Sequence, residues 1–201
     1  MVDAAGINIE DPILVKRCSQ GDTAAMERLI LKYQNRLYNV ILKICANPDD
    51  AAELTQDTFV KIIESIDGFQ GRSSFYTWAF RIAVNLTLNH CKRNVKIALK
   101  SMDAEVEGAG DLVQPLLRDL LSNEKAHDPA DLAQVKELQN VAIRSLMQLD
   151  DDHRAVVVLR DLEGMTYAQI ADVLDMELGT VRSRLSRARG HLREILEAMV
   201  Q

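Results

Sequence analysis

The side chains whose spacing most directly implies a chemistry are arginines. Between Leu178 and Arg193 stand five of them and no carboxylate, in the run TVRSRLSRARGHLR that begins at Thr180. Wound as a helix, this run places Val181, Leu185, Ala188 and Leu192 on one face and Arg182, Ser183, Ser186, Arg187 and Arg189 on the other. A guanidinium fork matches the O6 and N7 acceptors that guanine shows in a major groove, at about 1–3 kcal/mol per good pair. Further arginines would meet phosphates and set register rather than sequence. The preceding residues supply the rest of a helix-turn-helix: Thr166 and Gln169 form a capping box, and Ala171 is small where two helices would cross. The competing reading is a solvated basic face, but such faces normally mix glutamate with arginine. Arg184 and Arg193 remain candidates for salt bridges within the fold.

A second constellation occupies FQGRSSFYTWAFRIAVNLTLNHCKR, Phe69 to Arg93. Trp78, Arg81, Asn85, Asn89 and Lys92 recur every three or four residues, so one helix face carries an aromatic, amides and cations together. Such a mixture suits single-stranded DNA, in which bases stack on rings at about 1–3 kcal/mol each while cations follow the backbone. An extruded base needs a pocket, which the loop of Phe69, Gln70, Gly71, Arg72 and Ser73 can supply. Alternatives stay open residue by residue. Phe75, Phe80 and Trp78 can be core aromatics, and Asn85 can be a mid-helix amide bonded to its neighbours.

Both segments belong to a chain of 201 residues and net charge -6. That average conceals blocks of opposite sign, which imply separate surfaces for separate partners. Asp49 to Asp67 holds six acids against Lys61 alone, and Ser101 to Gln134 holds eight against Arg118 and Lys125. Arg72 to Arg93 has no acid.

The elements that must carry these residues are helical. Apolar residues make up 47% of the chain, aromatics only 4%, and apolar positions recur at three-to-four spacing almost throughout. Asp11-Pro12 opens a short helix closed by Gly21. Asp22 caps a longer one with Met26, Leu29, Ile30, Tyr33, Leu37, Ile41 and Ile44 inward. Asn47-Pro48 separates it from a third, from Asp49 to about Ile66, expected to bury Thr55, Phe59, Ile62, Ile63 and Ile66. A fourth is expected over about 75–94 with Phe75, Ala79, Ile82 and Leu86 inward. The stretch 96–134, with Gly108, Gly110, Pro115, Pro129 and many acids, reads as a flexible acidic linker. Helices over about 135–148, 152–162, 166–174 and 179–198 complete an all-α chain of two small helical domains, 1–95 and 135–201. Cys18, Cys45 and Cys91 show no metal-ligand or disulfide spacing, so neither a metal nor a cofactor is expected. No signal sequence or apolar run of about 18 residues is present, so the expected location is cytoplasmic, without membrane insertion.

Three stretches, DDAAELTQDTFVKI, FQGRSSFYTWAFRIAVN and GMTYAQIADVLDMELGTVRSRLSRAR, stand in this order with an acidic segment before the last. In that arrangement the chain resembles the extracytoplasmic-function sigma factors of bacterial RNA polymerase, nearest the sigma-E group. The resemblance implies a non-catalytic transcription factor whose first domain is sigma region 2 and whose second is sigma region 4. It implies that Asp49, Asp50, Glu53, Gln56 and Asp57 meet the clamp helices of the polymerase beta-prime subunit, with the beta flap as a further contact. The Phe69–Ser73 loop, with Trp78, Arg81 and Asn85, would melt the minus-10 element and capture a flipped base. Thr180, Arg182, Ser183, Ser186, Arg187 and Arg189 would read the minus-35 duplex. An anti-sigma factor is an implied partner, and a small-molecule substrate is not. Some positions depart from the family pattern: Asp150 and Glu177 stand where Pro is frequent, and Gln70 and Arg72 flank Gly71 where the family commonly has Arg and an acid. No base preference is therefore carried over. Ser186 stands where relatives can carry an aromatic.

Two rivals remain at this level. A stand-alone helix-turn-helix regulator accounts for the C-terminal arginines but not for the Phe69–Asn85 segment. A metal-dependent nuclease using Asp49, Asp50 and Glu53 is weakened because acids at a helix start need no catalytic explanation.

Overall fold

The computed structural model describes residues 11–100 and 141–200, with side chains described for 11–94 and 141–198. Most of the expected acidic linker lies outside the described residues. Among those described there is no strand.

Each helix starts where its local chemistry dictates. Helix α1 (Asp11–Cys18) has an acid in its first turn and Pro12 where no N–H partner is needed. Helix α2 (Thr23–Cys45) is capped by Asp22, whose side chain accepts from the Ala25 N–H at 3.0 Å. It ends at Ala46, held left-handed at φ 62°. Helix α3 (Pro48–Ser65) begins with the Asn47 side chain accepting from the N–H groups of Asp49 and Asp50, which also complement the helix dipole. A 3-10 turn (Ile66–Gly68) leads into the loop before α4 (Phe75–Lys100).

In the second set residues 141–147 are helical, α5, and its expected start at about 135 lies outside the described residues. Helix α6 (Asp151–Val157) is capped by Asp150 and runs on through a π turn, Val158–Leu162. Helix α7 (Tyr167–Leu174) carries the expected Thr166–Gln169 capping box. Helix α8 (Leu178–Val200) is the last.

The two sets, lobes of one molecule, share a continuous core rather than standing apart. Helix α4 lies between α2 and α3 on one side and α7 on the other, and α6 packs against the C-terminal part of α2. This explains two departures from the spacing argument. In α4 the fully buried positions include Phe80, Ala83 and Val84 as well as Phe75 and Ala79, while Ile82 and Leu86 are half-buried. In α2, Val40, Ile41, Leu42 and Ile44 are all buried, because neighbours surround that end. In α3, by contrast, Thr58 and Leu54 face inward, Thr55 is half-buried, and Ile63 is 48% exposed. The helix buries a stripe rotated from the one its apolar spacing suggests. Burying side chains such as Leu29, Leu37, Ile62 and Ile170 contributes about 1.5–3 kcal/mol each.

Candidate nucleic-acid interface

The helix-turn-helix is built from α7 and α8. At the end of α7 Asp175 adopts the left-handed conformation at φ 53°, and the Met176 N–H donates to the Ala171 carbonyl at 3.0 Å. The chain thereby turns sharply enough for Val181, Leu185 and Ala188 to be buried against the lobe. Thr180, Arg182, Ser183, Ser186, Arg187 and Arg189 are consequently all exposed along one side of α8. No acid stands in the first turn of α8. Ser183 Oγ donates to the Thr180 carbonyl at 3.0 Å, and Arg182 lies 5.9 Å from the Tyr167 ring. Arg189 is committed differently: its Nε donates to Asp161 at 3.2 Å, and that bond raises the guanidinium pKa above its usual value. Arg184 faces Asp152 at 3.5 Å, the internal pairing its position allows.

The second constellation surrounds the start of α4. Gly71 sits at φ 68°, a conformation in which an L side chain is strained, with open space around it. Gln70 and Arg72 are exposed and Ser73 is half-buried. Ser74 caps the helix, its Oγ accepting from the Thr77 N–H at 3.1 Å. The Trp78 ring lies 5.1 Å from Phe69 and 5.8 Å from Phe75, so it is a half-buried member of an aromatic cluster open on one side. Phe75 and Phe80 are core residues, at 4% and 0% exposure. Arg81 is exposed, and Asn85 is half-buried one turn further on.

The acidic face of α3 also points to solvent. Asp49, Glu53, Gln56 and Asp57 are exposed, and Asp50, half-buried, meets His90 Nε2 of α4 at 3.1 Å. Exposed Val60 continues this face toward Ile63.

The structure also brings together charged residues that the spacing argument left unassigned. Arg154, 7% exposed, donates from Nε to the Leu146 carbonyl at 3.2 Å and from Nη2 to that of Leu149 at 2.7 Å. Its Nη1 reaches across to the carbonyl of Ile44 at the end of α2. Glu163 is nearly enclosed, and accepts from Arg36 Nε at 2.9 Å and from the Tyr76 hydroxyl at 3.4 Å, with Lys43 at 3.8 Å. The available signal was a charge beside an apolar run, Arg154 before Ala155–Leu159. Among the described residues no group of three or more His, Cys, Asp or Glu side chains is placed to hold a metal, and no helix is long and apolar enough to cross a membrane.

Comparison with known proteins adds to this geometry. A family model for sigma-70 region 2 matches residues 29–97, and one for sigma-70 region 4 matches residues 140–192. The chain is 33% identical over 186 residues to the ECF RNA polymerase sigma-E factor of Escherichia coli (strain K12), covering 90% of this chain and 91% of that protein. To the RNA polymerase sigma-H factor of Pseudomonas aeruginosa it is 32% identical over 197 residues, covering 96% of each. Among solved structures, the sigma factor RpoE in complex with the anti-sigma factor NepR from Bartonella quintana has a similar fold. It superposes with a TM-score of 0.64 at 22% identity, over 85% of this chain and 96% of that one. CnrH in complex with the cytosolic domain of CnrY gives 0.62 at 24%, over 94% and 97%.

Proposed function

The chain belongs to the extracytoplasmic-function sigma factors of bacterial RNA polymerase, and from that membership we propose how its exposed faces divide the work. It is an alternative sigma factor: it binds core polymerase and directs transcription to specific promoters. Sigma factors are non-catalytic regulators, and this chain acts as one, in the cytoplasm and without a reaction of its own.

In this reading residues up to about 95 are the region 2 domain, and those from about 135 are the region 4 domain. The acid-rich face of α3, with Asp49, Asp50, Glu53, Gln56 and Asp57, docks on the clamp helices of the beta-prime subunit, and region 4 meets the beta flap. The loop Phe69–Ser73 with Trp78, Arg81 and Asn85 takes single-stranded minus-10 DNA. Half-buried Trp78 offers an edge of a braced aromatic cluster, a stiffer stacking surface than a free ring. Helix α8 enters the major groove of the minus-35 element. Arg182, Ser183, Ser186 and Arg187 approach base edges, while Thr180 and Arg189 serve register. An anti-sigma factor is a further partner, by analogy with the complex that the RpoE protein of similar fold forms with NepR.

One observation carries the reading. Arg182 and Arg187 stand exposed on a helix whose opposite face, Val181, Leu185 and Ala188, is sealed in the core. The test mixes purified chain with core polymerase and a promoter library and sequences the transcripts. New start sites that depend on a shared pair of upstream elements are expected, and initiation unchanged by the chain refutes the reading.

A further inference from the structure

Helix α8 presents Arg182 and Arg187, both proposed to approach base edges, in two different states. Arg187 is exposed and, among the described residues, makes no ion pair and no ring contact. Arg182 is exposed as well, but its guanidinium lies 5.9 Å from the ring of Tyr167, the first residue of α7. At that separation a cation is still drawn to the electron-rich face of a ring.

The ring itself is held by groups that have partners within the lobe. Arg160, in the π turn, lies 4.9 Å from the same ring. Its own place is fixed, because its Nη1 donates to the Met165 carbonyl at 2.6 Å. Thr166 fixes the backbone on which the ring is mounted: its Oγ1 accepts from the Gln169 N–H at 3.2 Å, and its N–H donates to Gln169 Oε1 at 2.9 Å. A third cation, Arg189, stands close enough that Tyr167 adds to the rise of its pKa, after the larger effect of its bond to Asp161. Two of the three arginines at this ring therefore bond to protein acceptors, while Arg182 makes no such bond among the described residues.

We infer that Tyr167 is a positioning residue for minus-35 reading: braced by Arg160, its ring orients the Arg182 guanidinium before the duplex arrives. This rests on the assignment of Arg182 proposed above. An unrestrained arginine loses many rotamers when it binds, and a side chain already held in place loses fewer. The guanidinium fork discriminates only when both of its N–H groups align with one base edge, so orientation acts on sequence preference. A contact from the phenol to a phosphate would act otherwise, strengthening binding to every sequence and steepening its salt dependence.

The test uses the full chain, first free and then assembled with core polymerase. In NMR relaxation of the free chain, the Arg182 Nε–H should be more ordered than that of Arg187. Tyr167→Leu should lower it to the level of Arg187, and Tyr167→Phe, which keeps the ring, should preserve it. Equal order at Arg182 and Arg187 in the wild type overturns the inference. The assembled polymerase is then offered minus-35 duplexes varied one base pair at a time. Y167L should reduce preference about two- to fivefold at the position that Arg182→Ala relaxes, with the salt dependence unchanged, and Y167F should match wild type. In an R182A background Y167L should change preference no further. Preference is a ratio between sequences, so a reduced folded fraction in Y167L does not imitate the effect. A Y167L effect that persists in R182A, or that Y167F shares, overturns the inference and leaves the role of Arg182 standing. If R182A relaxes no position, it is the proposed role of Arg182 that fails, and positioning by Tyr167 falls with it.

Discussion

Arginines of the same lobe serve opposite ends in α8 and in α6. Along α8, Arg182 and Arg187 project into water from a helix anchored by Val181, Leu185 and Ala188. In α6, Arg154 is buried, and its guanidinium donors are taken up by the carbonyls of Leu146, Met147, Leu149 and, across the lobe boundary, Ile44. The first group keeps its hydrogen-bonding capacity for a ligand, and the second has given it to the fold. Residue type alone therefore says little about role; what decides it is whether the helix turns that side chain toward solvent or toward another element's unpaired acceptors.

The contrast can be broken most sharply at Arg154. Replacing it by Ala strands several buried carbonyls, and urea denaturation should register a loss of about 3–5 kcal/mol. A loss below about 1 kcal/mol would mean that the buried guanidinium is not structural. At α8 the expectation inverts. Arg182→Ala and Arg187→Ala should each weaken minus-35 duplex binding by the assembled polymerase by about 1–3 kcal/mol, with relaxed preference at one position. Their unfolding midpoints should stay within about 0.5 kcal/mol of wild type. If either variant melts early, the exposed face is structural after all.

Thr166→Ala sharpens the comparison, because it loosens α7 without touching an arginine. Loss of the capping box should cost about 1 kcal/mol of stability, read by thermal melting, and should weaken duplex binding only as far as folding is lost. The smallest effect concerns thiols near the lobe boundary. Burial raises Cys45 to about 11 and Cys91 to about 12, so at pH 8 the reactive thiolate is about one part in a thousand or less. Because these acids have raised pKa values, their neutral form persists to higher pH. Native-state labelling should stay slow until about pH 10 and accelerate at once in denaturant. Fast labelling at pH 8 would show that this part of the core opens readily.

Much of this was legible before any coordinates. Asp22 and Thr166 announce two helix starts because short polar side chains satisfy N–H groups locally, whereas Asn47, read only as a break, also proves to cap α3. The exposed side of α8 was legible because its apolar positions repeat with the helical period and leave only one face for the cations. Ile63 misled, since its place in an apolar run gives no hint that α3 turns it to solvent. The inward face of α4 was only half visible, because α4 packs against α7, a helix far along the chain, as well as against α2 and α3.

Local sequence, then, was sufficient for the helical class, the caps, the helix-turn-helix and the family, since each depends on neighbours within a few residues. Whether an individual charge is spent or available was settled only by the packing of the two lobes. Glu163 and Arg36 are 127 positions apart, and Arg154 and Ile44 are 110 apart. No periodicity encodes such pairings, because they come from long-range burial, where an unpartnered charge or carbonyl is too costly to leave alone.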